Sequence, residues 1–470
     1  MAEDMDIAER SDAAPNALRD EDGAVRPEFV ETVAEAIQGR DADLLRALVG
    51  ELHESDTGDL IEALDGELRP RFVELLGREF DFAALTEVDD TVREEILEEV
   101  SSKVIAEGVR DLDSDDAAHI IEDLPAQEQA EILEQMPPPE RSAVERILHY
   151  PEESAGRRMQ TEFIAVPPSW TVGDAIDHMR ETVDLPDRFF ELYVVDEGRK
   201  LLGAVALDRL LRTKRPVPVA DLMDHDRRRV GATDDQEEVA RMFERYNLVA
   251  TPVVDEGERL VGVLTHDAII DVIEEEAEED IRALGGVTRD EELADSVWDI
   301  TKGRFNWLLI NLATAFMASS VLGLFEGSLE KMVALAVLAP IVASQGGNAT
   351  TQTMTVAVRA LATRELTDAN ARRVILRELS VGALNGLAFA VITGVAAWAW
   401  FKVPGLGIVI GLAMICNLVA AALGGILIPL GLHRLKFDPA VASSPFVTTV
   451  TDVVGFFSFL AIATLWFGLK

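Results

Sequence analysis

The chain is 470 residues long, with 85 acidic and 43 basic side chains and a formal charge of −42. So acidic a balance excludes a protein built to track nucleic-acid phosphates, and one cysteine, Cys416, excludes an intrachain disulfide framework. The charge is unevenly spread: 78 of the 85 acids precede residue 301, while residues 301–470 carry 12 basic and 7 acidic groups, so a soluble acidic front precedes an apolar back.

Residues 1–25 are acidic and lack an apolar core, so they read as a disordered, solvated tail rather than a signal peptide. Residues 26–150 hold only helical patterns. LHESDTGDLIEAL (52–64) is echoed by LDSDDAAHIIEDL (112–124), and FVELL (72–76) by ILEQM (132–136), 60 residues on. Leu60, Ile61, Leu64, Phe72 and Leu75 recur at helical spacing, with Ser55 and Ser114 as expected N-caps. The reading is an acidic all-α superhelical domain of stacked helix pairs.

Residues 155–273 contain a second duplication, with halves at about 158–215 and 220–273. ELYVVDEGRKLLGAVALDRLL (191–211) recurs as TPVVDEGERLVGVLTHDAII (251–270), and Asp196/Asp255, Gly198/Gly257, Gly203/Gly262 and Asp208/Asp267 are each 59 apart. Each copy reads as helix, strand, a turn at Asp-Glu-Gly, strand and helix. This α/β unit resembles a tandem pair of CBS domains, cytoplasmic modules that report ligand or ion status. Many of these hold a nucleotide ribose with Thr or Ser followed three residues later by Asp. Here Thr265 is followed by Ala268, and the first copy has Ala206 and Arg209, so both copies depart from the nucleotide pattern.

A charged connecting helix is expected over 267–286, with an apolar stripe of Ala268, Ile269, Val272, Ile273, Ala277, Ile281 and Leu284 and a stop at Gly285 and Gly286. In residues 301–470 five apolar segments, about 305–325, 332–358, 379–401, 405–432 and 446–469, each reach the roughly 20 residues that cross a bilayer as a helix. Arg359, Arg364, Arg372, Arg373 and Arg377 lie between the second and third, and His433, Arg434 and Lys436 between the fourth and fifth. The positive-inside rule puts the N-terminal domains in the cytoplasm and Lys470 outside a plasma membrane crossed several times.

Arginine (35) far outnumbers lysine (8), and acids outnumber both, a pattern that suits a protein of a halophilic archaeon, whose surface carboxylates keep it hydrated in brine. Against that background Asp452 stands out, because a carboxylate in hydrocarbon costs roughly 2.5–3.5 kcal/mol even on the lenient insertion scale. The second segment carries PIVASQGGNATTQTMT (340–355), where Pro340, Gly346 and Gly347 are expected to loosen the helix; the fifth carries Ser443, Ser444, Thr448, Thr449, Thr451, Asp452 and Gly455. Oxygen ligands without soft sulfur or a histidine cluster are the chemistry of a hard cation, magnesium above all.

The order of parts, with GGN in the second span and P-x-V-T-T-x-x-D in the fifth, resembles the MgtE family of magnesium channels over about residues 26–470. The resemblance implies a homodimer with one pore on its two-fold axis, no enzymatic activity, and Mg2+ as both cargo and regulator. It makes Asp452 the pore carboxylate and Asn348 a pore residue, with Gly346, Gly347, Thr448, Thr449 and Gly455 lining the path. It makes Asp271, Glu276, Glu279 and Asp280 regulatory ligands, with Ala268 and Ser444 departing from the family pattern. Two other classes fit the residues: a proton- or sodium-coupled transporter of divalent metals, and a magnesium-sensing scaffold in the membrane.

Overall fold

The computed structural model describes residues 18–20, 23–122, 124–182, 185–186, 188–287, 291, 296–367, 369–437 and 439–469, with the backbone alone at 441–444. It divides into two compact units, Met1–Glu276 and Ala277–Lys470.

The first unit begins with helices α1 (Pro27–Gly39), α2 (Ala42–Val49), α3 (Glu54–Ala63), α4 (Arg69–Leu76), α5 (Asp90–Glu99), α6 (Ser102–Gly108), α7 (Ser114–Ile121), α8 (Ala126–Gln135) and α9 (Pro138–Leu148). The 60-residue echo marks its core. Leu60, Ile61 and Phe72 are 0%, 0% and 0% exposed, and their counterparts Ile120, Ile121 and Ile132 are 1%, 0% and 1%. Each such side chain contributes about 1.5–3 kcal/mol of burial. Leu75 is only partly buried, at the edge of that cluster. Residues 1–17 of the expected tail lie outside the described residues, but its last part is packed: Leu18 is buried and Arg19 pairs with Asp56 and Asp59 of α3. Packing therefore starts ahead of the expected boundary at 26.

Neither expected N-cap serino-acid holds that position. His53 caps α3, its ring nitrogen accepting from the Ser55 N–H, and Asp113 precedes α7. Ser114 sits one residue inside α7, where its N–H and hydroxyl both donate to Glu162, at 3.2 and 2.8 Å. The anion that satisfies the start of α7 thus comes from a segment 48 residues away.

The duplicated region follows: β1 (Ala165–Val166), α10 (Val172–Glu181), β2 (Glu191–Val195), β3 (Leu201–Ala206), α11 (Leu207–Leu211), β4 (Val230–Gly231), α12 (Gln236–Tyr246), β5 (Ala250–Val254) and β6 (Leu260–Thr265). The two sheets, β1-β2-β3 and β4-β5-β6, have the same order. Glu191 pairs with Ala206 as Ala250 pairs with Thr265, and each sheet slips register at the end of its middle strand. In the turns Asp196 accepts from the N–H groups of Gly198 and Lys200, and Asp255 from those of Gly257 and Arg259. The left-handed residue is the one after each glycine, Arg199 (φ 64°) and Glu258 (φ 60°).

Helix α13 (His266–Gly285) follows β6 directly, and the division between the units falls within it. Its buried side is narrower than the expected stripe. Ile269, Val272 and Ala283 are buried, whereas Ile273 and Ile281 are 45% and 70% exposed. Gly286 stops the helix with φ 73°, its N–H returning to the Ala283 carbonyl and that of Val287 to Arg282.

The second unit contains α14 (Val297–Gly323), the short α15 (Glu326–Lys331), α16 (Val333–Ala362), α17 (Ala371–Phe401), α18 (Pro404–Arg434) and α19 (Pro439–Phe467). Five of these are long and apolar enough to cross a membrane. The most apolar, α18, is also the most buried, and packs against α16, α17 and α19. Glycines let it approach closely: a Cβ at Gly407 would lie 2.5 Å from the Gly394 carbonyl oxygen of α17. The expected loosening of the second span does not occur. Helix α16 runs through Pro340, Gly346 and Gly347 without a break, with α18 and α19 packed along one side of it.

Candidate cation sites

In the first unit a cleft of about 200 Å³ opens where the N-terminal turn of α7 faces the end of β6 and the start of α13. Asp113, Asp115 and Asp116 come from α7 and the residue before it, and Asp267, Asp271 and Glu275 from α13. Glu162 fixes α7 from the CBS side, and three of the four positions 113–116 present carboxylates to one space.

Mutual proximity changes these acids. Burial, then the charges of Asp116 and Asp113, holds Asp115 well above the ordinary carboxylate range. Burial, then Asp113, pushes Asp116 up to about 6. Asp271 is raised by burial, then by Glu87 and Glu275. Such groups gain from a cation that compensates them.

One wall of the cleft is already neutralised. Arg93, 1% exposed, donates to Asp90 and, at 3.3 Å, to Nε2 of His119. Nε2 must therefore accept, so Nδ1–H donates to Glu122 at 2.7 Å. Arg157 donates to the other Glu122 oxygen, also at 2.7 Å. Burial alone would raise Glu122, but the bonds from His119 and Arg157 outweigh it and bring it to about 2.

Of the expected regulatory ligands, Asp271 and Glu276 of the first unit face different partners. Asp271 lines the cleft. Glu276 instead accepts from the Gln236 amide at 2.8 Å, and its neighbour Glu275 is clasped by Arg158. Glu279 and Asp280 belong to the second unit. Among the described residues no three His, Cys, Asp or Glu side chains are arranged to hold one ion.

A second cleft, of about 440 Å³, lies between the CBS sheets and contains Asp208, Arg209, Asp224, Arg227 and Tyr246. Arg227 is committed to Glu191 and the Ala250 carbonyl.

In the second unit Asp452 is half-buried in α19, with no hydrogen-bond or ion-pair partner among the described residues. Thr448 and Thr449, one turn earlier, donate to the Pro445 carbonyl. Asn348 is exposed on the single chain, as is the open side of Gly347. Gly346 and Gly455, expected to line the path, are buried: a Cβ on either would lie within 2.1 and 2.9 Å of the Asn417 amide nitrogen. In the single chain both pack closely against that amide. The side chains of Ser443 and Ser444 lie outside the described residues.

Residues 339–462 match the family of divalent cation transporters named MgtE, residues 52–153 the MgtE intracellular N domain, and residues 155–215 and 219–275 the CBS domain. The magnesium transporter MgtE of Thermus thermophilus is 37% identical over 316 residues, 66% of this chain and 69% of that protein. The chain belongs to the MgtE family. The MgtE of Enterococcus faecalis is 35% identical over 66% of this chain and 68% of its own length. A solved structure, the soluble part of a magnesium transporter, is 26% identical with a TM-score of 0.48, covering 53% of this chain and 98% of its own. MgtE is a family of divalent cation transporters, not of enzymes, and the five long apolar helices fit a multi-pass membrane protein.

Sequence reasoning missed the Arg93–His119–Glu122–Arg157 chain, the Glu162 cap and Asn417. Only Asn417 carried a local signal, an amide in the most apolar span.

Proposed function

We propose that this MgtE chain passes Mg2+ down its gradient through a pore centred on Asp452, with two copies of the chain facing each other across a two-fold axis. Asp452 carries this reading, as a half-buried carboxylate with no partner among the described residues in a span otherwise fit for hydrocarbon. Its relatives' name, magnesium transporter, supports the choice of ion. A carboxylate pair facing a hydrated ion attracts it through the water shell and still lets it leave. Asn348, exposed on the single chain, and the open side of Gly347 are available to a partner copy. The basic loops after α16 and α18 support cytoplasmic N-terminal domains.

Regulation follows from the acidic cleft. Cytosolic Mg2+ compensating Asp115, Asp116 and Asp271 would favour the arrangement in which α7 and α13 approach, and α13 is covalently continuous with the second unit. In molar salt the screening length is only about 3 Å, so direct contact at the cleft, rather than long-range repulsion, carries the signal. Glu276, Glu279 and Asp280 are proposed to add to it from the same helix.

The test is Mg2+ flux into proteoliposomes holding the full chain. Uptake is expected without a proton or sodium gradient, and Asp452→Asn is expected to lower it at least about tenfold while the dimer persists. Normal flux in that variant, or uptake that demands a coupled gradient, would overturn the proposal.

A further inference from the structure

The side chain of Asn417, 0% exposed, sits in the middle of α18 among Ala413, Met414, Leu418 and Ala421, which are all buried. Its Nδ2 donates to the Val342 carbonyl of α16 at 2.7 Å, and its Oδ1 is buried with no partner among the described residues. Around it two other helices give up their side chains. A Cβ at Gly346 of α16 would lie 2.1 Å from Nδ2, and one at Gly455 of α19 would lie 2.9 Å from it and 3.4 Å from the Ala343 Cα. One amide therefore fills the point where α16, α18 and α19 meet.

Stability alone does not explain the residue. An unpartnered buried amide oxygen is destabilising, and a leucine, with the same branching and no polar atom, would avoid it in a face that is otherwise apolar. The position of the junction supplies a reason. Gly455 lies three residues after Asp452, on the same face of α19, while Gly346 lies within the polar stretch of α16. The Val342 carbonyl starts the turn that contains Gly346.

We propose that Asn417 is a positioning residue for ion passage: its amide ties α16 at Val342 and seats the two glycines, fixing the depth and rotation of Asp452 relative to the polar turn of α16. This rests on the reading of Asp452 as the pore carboxylate. Asn417 touches no ion in this account. It acts through the helices it locks together.

The experiment compares Asn417→Leu, Asn417→Asp and Gly346→Ala with wild type and Asp452→Asn, all as full chains in proteoliposomes. Flux is measured against Mg2+ concentration and against Co2+ and Ca2+, with thermal midpoints in parallel. Asn417→Leu is expected to keep or raise the midpoint, to lower maximal Mg2+ flux by about tenfold, and to change the ratio of Mg2+ to Co2+ flux. Asn417→Asp keeps the volume but loses the donor to Val342, and is expected to shift selectivity the same way. Gly346→Ala, which drives a methyl into the amide, gives the same phenotype if Asn417→Leu fails to fold. Wild-type flux and selectivity in Asn417→Leu and Asn417→Asp, alongside a dead Asp452→Asn, would overturn the positioning role alone. Wild-type flux in Asp452→Asn would overturn the pore reading and take this proposal with it.

Discussion

Gln236 donates its side-chain amide to Glu276 over 2.8 Å, joining the first residue of α12 to the middle of α13. One residue earlier on α13, Glu275 takes both terminal nitrogens of Arg158. The middle of α13 is therefore fastened to the CBS pair by contacts that need no metal. Glu276 is held above the ordinary glutamate range by burial, which outweighs the bond from Gln236.

Arg158→Ala should loosen this fastening modestly. Glu275 is 42% exposed, so the pair is worth no more than about 1 kcal/mol. Amide exchange over 266–276 in the full chain should accelerate by up to about fivefold without Mg2+, with a smaller change when Mg2+ is saturating. No change in exchange would mean that hydrophobic contacts at Ile269 and Val272 suffice.

Cation binding at the cleft should depend on pH around Asp116, whose pKa of about 6 is raised over its unfolded value. A raised carboxylate binds more protons folded than unfolded. Without metal, its contribution to stability is present at low pH and is lost as pH rises through about 4 to 6. With Mg2+ the carboxylate must be ionised, so stabilisation by Mg2+ should be largest above pH 6 and fade toward pH 5. Thermal midpoints with and without Mg2+ across that range check the sign, and Asp116→Asn should flatten the profile.

Ser114→Ala removes the hydroxyl that bonds Glu162 and leaves its backbone donor in place. The loss is expected at about 1–2 kcal/mol. The first unit's melting midpoint should then fall by a few degrees, roughly 3–6 °C for a domain of this size. Glu162→Gln should cost at least as much, since it removes the charge from the α7 N-terminus as well.

Gly286→Ala should be costly for two reasons. Its φ of 73° disfavours any side chain, and the new Cβ would lie 1.8 Å from the Trp307 indole nitrogen. About 1 kcal/mol comes from the backbone and the remainder from displacing the indole. Trp307→Leu in the same chain should recover the second part only, so the double variant should be more stable than the sum of the singles allows.

Periodicity and repetition gave most of the fold to a reader of the chain alone. Hydropathy marks five long helices because a bilayer demands about 20 apolar residues from each, whatever they pack against. The 59-residue repeat gives two sheets of one register, and the 60-residue echo gives Leu60 and Ile120 the same buried place, because identical local patterns bury identical faces. Asp452 is conspicuous for the same local reason, a charge where its neighbours are apolar.

Pairing was decided only in three dimensions. Ser114 meets Glu162 across 48 positions, Gln236 meets Glu276 across 40, Asn417 meets Val342 across 75, and Arg158 meets Glu275 across 117. Sequence counts carboxylates and glycines but does not say which are already satisfied. Burial and hydrogen bonding are properties of two groups brought together. So Asp113, Asp115 and Asp116 line one cleft with Asp267 and Asp271 while Glu276 became an amide's partner, and Gly346 packs against Asn417.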